Sequence, residues 1–167
     1  DAVIADEELR ELLSAVHDKL AGRFAIVSGR SVTQIDTILG PVAQYFALSG
    51  SHGGEWRIDG ELFLPERPFA LTEATEAMRV FAQAHPEMFL EEKSLGTGLH
   101  YRAVPELGEA AARLAHALAE ELGLFVQEGN MMIELRPAGH DKGSAIRGLM
   151  SQPLLAGAIP VFVGDDV

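Results

Sequence analysis

At 167 residues, with 13 Lys+Arg against 25 Asp+Glu for a net charge of −12, the chain has room for one domain or for a core with an inserted unit. That charge argues against binding nucleic-acid backbones, which need a basic surface. The absence of cysteine removes disulfide, zinc–thiolate and cysteine-nucleophile chemistry.

A hydrophobic content of 47% and a mean hydropathy of +0.11 fit a soluble protein with an ample core. No apolar run approaches the roughly 20 residues of a membrane helix. No basic-then-apolar leader is visible at the start; with the missing cysteines, this points to the cytoplasm. A small anionic ligand is still compatible with the acidity, since a few local cations reverse the field of one pocket.

Residues 6–21 read as an amphipathic helix, with Leu9, Leu12, Leu13, Val16 and Leu20 at helical spacing and Gly22 as the stop. Phe24–Val27 is a short apolar strand ending at Ser28-Gly29. Ser31 can cap a second helix carrying Val32, Ile35, Ile38 and Leu39, closed by Gly40-Pro41. Tyr45–Leu48 is a second buried strand running into the glycine-rich loop Ser49–Glu55. Strand, helix and strand in this order predict a parallel α/β sheet.

A different pattern follows. Thr72 caps a helix reaching about Ala84. Two strands, Met88–Lys93 and Gly98–Ala103, are joined by the turn at Leu95-Gly96. A long helix starts near Pro105 and stops at Gly123. Strands Leu124–Gln127 and Met131–Arg136 are joined by a tight turn at Glu128-Gly129-Asn130. This helix–strand–strand–helix–strand–strand unit has its own antiparallel sheet and reads as a cap inserted into the parallel core. The core resumes with a helix over Gly143–Met150. A buried strand, Ile159–Val163, then delivers Gly164-Asp165-Asp166, with Pro160 tolerated among its first residues. Because the chain stops at the tip of that strand, the expectation is an internal piece of a longer protein.

Asp165 and Asp166 fall at the carboxyl end of a core strand, where open α/β sheets place ligands. Adjacent carboxylates suit Mg²⁺, a hard cation that takes oxygen ligands; a solvated acidic turn reads the same way. Lys142 precedes a helix and can present its ammonium to a phosphate, beside a helix N-terminus that favours anions. An ordinary surface lysine would look alike. The Ser28 hydroxyl and neighbouring N–H groups can bind a phosphate oxygen, or serve as a helix cap. His52 and Glu55 either line a pocket or satisfy a turn, the turn being slightly the better reading. The six histidines lack metal-ligand spacing, against a zinc site. No glycine-rich phosphate loop with its lysine is present, against a nucleoside triphosphatase.

His100 and Arg102 alternate on an expected strand and share a face. Glu91 and Lys93 share a face on the strand before it, and Glu134 lies on a later one. Such a face is too polar for core. It is either solvated or a set of donors and acceptors for sugar hydroxyls.

Taken in order, these stretches resemble the trehalose-6-phosphate phosphatases of the haloacid dehalogenase superfamily. The matching residues are Ala25-Ile26-Val27-Ser28-Gly29-Arg30, Ser51-His52-Gly53-Gly54-Glu55, Glu91-Glu92-Lys93 and His100-Tyr101-Arg102. They continue with Glu134-Leu135-Arg136-Pro137, Asp141-Lys142-Gly143 and Pro160–Asp166. The resemblance spans nearly the whole chain. It implies a haloacid dehalogenase-like Rossmannoid core, partial here (residues 1–68 and 138–167), with an inserted α/β cap (69–137). It also implies Mg²⁺-dependent hydrolysis of trehalose 6-phosphate through an aspartyl-phosphate.

In that family's terms Ser28 is the phosphate-binding hydroxyl and Lys142 the lysine that stabilises the transferring phosphoryl group. Asp165 and Asp166 hold Mg²⁺. Arg30, His52, Glu91, Lys93, Arg102 and Glu134 bind substrate, and cap closure excludes water. The partner is a small sugar phosphate, with no nucleic acid and no membrane.

The family's Asp-x-Asp-Gly-Thr motif, with its nucleophile and its general acid/base, is absent from this sequence, so the chain as written is expected to be inactive alone. Asn130 stands where many relatives carry a substrate-contacting lysine. Competing readings are a phosphatase of another sugar phosphate, such as sucrose phosphate or mannosylphosphoglycerate, and a catalytically silent sugar-phosphate-binding module.

Overall fold

The computed structural model describes residues 4–164. It divides into two compact units. Unit 1 comprises Asp1–Leu64 and Asp141–Val167, and unit 2, Pro65–His140, interrupts it in sequence.

Unit 1 opens with helix α1 (Glu7–Lys19). Asp6 caps it by accepting from Leu9 N–H at 2.9 Å, Glu7 and Glu8 lie in its first turn, and His17 and Lys19 in its last. These charges complement the helix dipole. Its apolar stripe is only partly packed: Leu9, Leu12 and Leu20 are exposed, while Leu13 joins a core cluster.

Strand β1 (Ala25–Val27) follows, then helix α2 (Val32–Leu39). The α2 start is a full capping box, in which Ser31 Oγ accepts from Gln34 N–H and Gln34 Oε1 accepts from Ser31 N–H. Strand β2 (Ala47–Gly50) pairs in parallel with β1, Ile26 opposite Leu48. It begins two residues later than the sequence suggests. Pro41 opens a 3₁₀ turn over Gly40–Tyr45 that leaves Tyr45 exposed, and pairing starts only after it.

The sequence reading assigns no element to residues 56–71, yet strands β3 (Glu55–Ile58) and β4 (Glu61–Phe63) form a hairpin antiparallel to β2. Asp59 and Gly60 make its turn, both at positive φ. Trp56 stacks on Phe63 at 5.4 Å. The buried Arg57 forks onto both carboxylate oxygens of Asp36 at 2.9 and 2.8 Å and reaches Ala43 O at 2.6 Å, tying the hairpin to α2.

Unit 2 has helix α3 (Phe69–Gln83), strands β5 (Phe89–Lys93) and β6 (Gly96–His100), helix α4 (Gly108–Leu122), and strands β7 (Leu124–Gly129) and β8 (Met132–Pro137). Its sheet is antiparallel throughout, in the order β5-β6-β8-β7. One face carries Leu99, Ile133 and Leu135 into a core with Leu71, Ala74 and Met78 of α3 and Ala111 and Ala115 of α4. Gly123 ends α4 in the left-handed conformation, φ 67°. Helix α3 starts at Phe69 rather than after Thr72, with Pro68 at its N-cap and no side-chain cap.

Helix α5 (Lys142–Met150) returns the chain to unit 1, where Leu149 packs with Ala47 and Ile58 on the sheet face opposite α2. The parallel β1–β2 pair thus carries a helix on each sheet face, in a mixed α/β protein.

The expected buried strand over Ile159–Val163 is not present. These residues form no ladder, and Ile159, Val161 and Val163 are 90, 85 and 90% exposed. A strand needs a partner for its N–H and C=O groups, and among the described residues none lies alongside. The segment instead borders a mainly apolar groove of about 490 Å³ beside β1 and α5. Asp165 and Asp166 lie outside the described residues. Among the described residues, no helix is long and apolar enough to cross a membrane.

Candidate functional site

In unit 1 the sheet's carboxyl ends present the loop Ser28–Ser31. Ser28 N–H extends the ladder to Ser49 O at 2.9 Å, and Ser28 O accepts from His52 N–H at 3.1 Å. Ser51 N–H reaches Arg30 O at 2.8 Å. The Ser28 hydroxyl accepts from Arg30 N–H at 3.1 Å, so it turns its own loop. The fit is close enough to demand glycine. An added Cβ at Gly50 would lie 2.7 Å from Val32 N and 2.8 Å from Arg30 O, and one at Gly29 would lie 2.7 Å from the His52 ring. Ser51 and His52 both have left-handed φ, 49° and 58°, which costs non-glycine residues energy.

Glu55, 1% exposed, lies behind this loop and accepts the Val32 N–H at 2.8 Å. A carboxylate there satisfies the first turn of α2 and its dipole. Glu55 is therefore a loop anchor, in keeping with the turn reading.

Lys142 is the first residue of α5 and half-buried. Asp141 caps that helix, accepting from Ser144 N–H at 2.5 Å. The Ser144 backbone N–H, then its hydroxyl, hold the Asp141 carboxyl below its ordinary value. Gly53 lets the helix start close to the His52 loop: a Cβ there would meet Ala145 Cβ at 3.1 Å and Asp141 O at 3.3 Å. The loops bearing Ser28, Arg30, His52 and Lys142 thus gather at one end of unit 1.

In unit 2 the candidates lie on the sheet face away from the helices. Lys93 Nζ donates to Glu134 Oε2 at 2.6 Å and lies 3.7 Å from Glu91 Oε2. His100 Nε2 is 2.9 Å from the same Glu91 oxygen. The Lys93 and Glu134 side chains are 14 and 6% exposed, those of Glu91 and His100 26 and 33%. Gly96 and Gly98 let neighbouring side chains fold over the middle of this face: an added Cβ at Gly96 would collide with Glu134 Oε1, and one at Gly98 would lie 3.3 Å from Met132 Cε. Two glycines at a spacing of two on a strand leave room on one face, a signal present in the sequence.

Arg102 does not join this group. Strand β6 ends at His100, where Tyr101 N–H bonds Met131 O and the chain turns back by Val104 N–H to Tyr101 O. Arg102 sits exposed in that turn. Asn130 is also exposed, in the tight turn between β7 and β8.

Two arginines frame the face: Arg67, which the sequence does not single out, and Arg136 of the Glu134–Pro137 stretch. The Arg67 guanidinium donates to the carbonyls of Lys93, Ser94 and Gly96 and to Thr75 Oγ1, clamping the turn that follows Lys93. Burial pulls its pKa below the ordinary arginine value, opposed by Glu92. Arg136 lies over the Phe125 ring at 4.4 Å and donates to His140 O at 2.6 Å.

The family model for trehalose-phosphatase matches residues 1–167. The chain belongs to that family. It is 32% identical over its whole length to the trehalose-6-phosphate phosphatase of Escherichia coli K12, of which it spans 63%. Among solved structures it resembles the trehalose-6-phosphate phosphatase C-terminal domain of C. albicans, with a TM-score of 0.76, 22% identity, and coverage of 95% of this chain and 58% of that one. It also resembles a phosphatase of the haloalkanoate (HAD) superfamily from Bacteroides thetaiotaomicron, with a TM-score of 0.55 and 14% identity, covering 88 and 65%. These likenesses agree with a mixed α/β fold whose unit 1 sheet contains the parallel β1–β2 pair.

Proposed function

We propose that this protein hydrolyses trehalose 6-phosphate to trehalose and phosphate in the cytoplasm. The carrying observation is the polar face of unit 2, where Lys93 pairs with Glu134, with Glu91 beside them, over Gly96 and Gly98. Convergent donors and acceptors on a preformed surface suit a polyhydroxylated ligand. Glu91, Lys93 and Glu134 are assigned to the sugar, with Arg102 contributing from its turn.

Unit 1 is assigned to the phosphate. Ser28 and the N–H groups of its loop would bind phosphate oxygens, and Lys142 would stabilise charge on the transferring phosphoryl group. Arg30 and His52 would contact the substrate. Asp165 and Asp166 offer the hard oxygen donors that Mg²⁺ takes, and that ion would neutralise phosphate charge when bound. The aspartyl-phosphate route needs a nucleophile these 167 residues do not provide in the family's motif.

The test is phosphate release with Mg²⁺ by the protein's full reading frame, on trehalose 6-phosphate, glucose 6-phosphate and sucrose 6-phosphate. Release is expected from the trehalose ester alone and is lost in Lys142→Ala and Asp165→Ala. Equal release from all three esters would make it a general sugar phosphatase. No release from a folded protein would leave a binding module.

A further inference from the structure

We infer that His100 is a positioning residue for sugar recognition, which fixes the Glu91 carboxylate on the polar face of the unit 2 sheet. The inference rests on the functional reading above. An ionised carboxylate only accepts hydrogen bonds, so at 2.9 Å the imidazole Nε2–H donates to Glu91 Oε2. Lys93 is poorly placed to do this work. Its ammonium is 2.6 Å from Glu134 but 3.7 Å from Glu91. Of these two groups, the histidine is the nearer to Glu91.

The backbone sets up this contact. Glu91 faces Gly98 across the β5–β6 ladder, and His100 faces Phe89. With no side chain at Gly98, the carboxylate can lean along the face toward His100. The Phe89 ring stands beside the imidazole, 5.6 Å between centroids, and limits its swing. The charged and titratable groups sharing the face are Glu91 and Lys93 of β5 and Glu134 and Arg136 of β8. A sugar hydroxyl donating to Glu91 thus meets a carboxylate already held in place, which lowers the ordering cost of binding.

Side-chain geometry supplies the test. Glutamine can place its amide nitrogen where His Nε2 stands, whereas asparagine reaches only to the Nδ1 position. In the full-length protein, His100→Ala and His100→Asn are expected to raise KM for trehalose 6-phosphate about tenfold, with kcat changed no more than about twofold. His100→Gln is expected to recover most of the loss. In a Glu91→Ala background, His100→Ala should add nothing, since the two act through one contact.

Unchanged KM in His100→Ala, or additive losses in the double variant, would overturn the inference while leaving the functional reading intact. So would Asn rescuing as well as Gln. If the wild-type protein releases no phosphate from trehalose 6-phosphate, the functional reading fails and this inference fails with it.

Discussion

The loop after β1 and the polar face of the unit 2 sheet hold their candidate residues by opposite means. Around Ser28 the main chain is the common partner, bonded to other main chain or to the Ser28 hydroxyl and Glu55 carboxylate, with Gly50 pressed against backbone and Ser51 and His52 bent into left-handed conformations. On the sheet face, side chains hold side chains, Lys93 to Glu134 and His100 to Glu91. A main-chain cradle suits a ligand of fixed shape such as a phosphate oxygen. A face of paired side chains suits one whose hydroxyl pattern must be told apart from its isomers. The first has little tolerance for an added atom, while the second should respond to substitution in graded steps.

The contrast is broken most severely at Gly50. Its absent Cβ would lie 2.7 Å from Val32 N and 2.8 Å from Arg30 O, both backbone atoms with no rotamer to escape into. Gly50→Ala is expected to cost on the order of 3 kcal/mol and to lower the urea midpoint clearly.

Lys93→Met should come next. It strands the nearly buried Glu134 carboxylate and is expected to cost about 2 kcal/mol. Lys93→Met with Glu134→Gln should recover stability in urea titration but not sugar binding, showing that the pair is kept for recognition rather than for the fold. A double variant as unstable as the single one would remove that distinction.

The smallest effect concerns Asp141. Its folded carboxyl titrates below its ordinary 3.8. The stability it contributes is present above 3.8 and is lost as pH falls through the lowered folded value. Asp141→Asn should therefore be slightly less stable than wild type at neutral pH, with the difference closing in strong acid. A difference in urea midpoint that does not shrink with falling pH would show that the charge is irrelevant there.

Local signals in the sequence match elements that later packing does not disturb. Ser31 before an apolar helix, and Gly123 after one, are read from three or four residues. The order of elements in unit 2 follows from alternating periods. Other features depend on partners distant in sequence. Glu55 looks like a loop residue until the α2 N-terminus is placed against it. The β3–β4 hairpin is short, and β4 is exposed along its whole length, so its alternation is faint beside the Asp59-Gly60 turn. Arg102 keeps the parity of a strand residue, but beyond the β6–β8 pairing and the bond from Tyr101 N–H to Met131 O, the turn closed by Val104 N–H on Tyr101 O ends the strand first. Ile159–Val163 has a strand's composition, and composition cannot supply the neighbour a ladder requires.

The left-handed pair Ser51-His52 carries a consequence for anyone seeking a hardier protein. Glycine adopts such φ values without penalty, so replacements there would relax the chain and count as improvements in a thermal screen. At position 51 that gain is nearly free of chemical loss. At position 52 it deletes the imidazole lying over Gly29. Selection for heat tolerance and selection for turnover would therefore agree at one residue and pull apart at its neighbour.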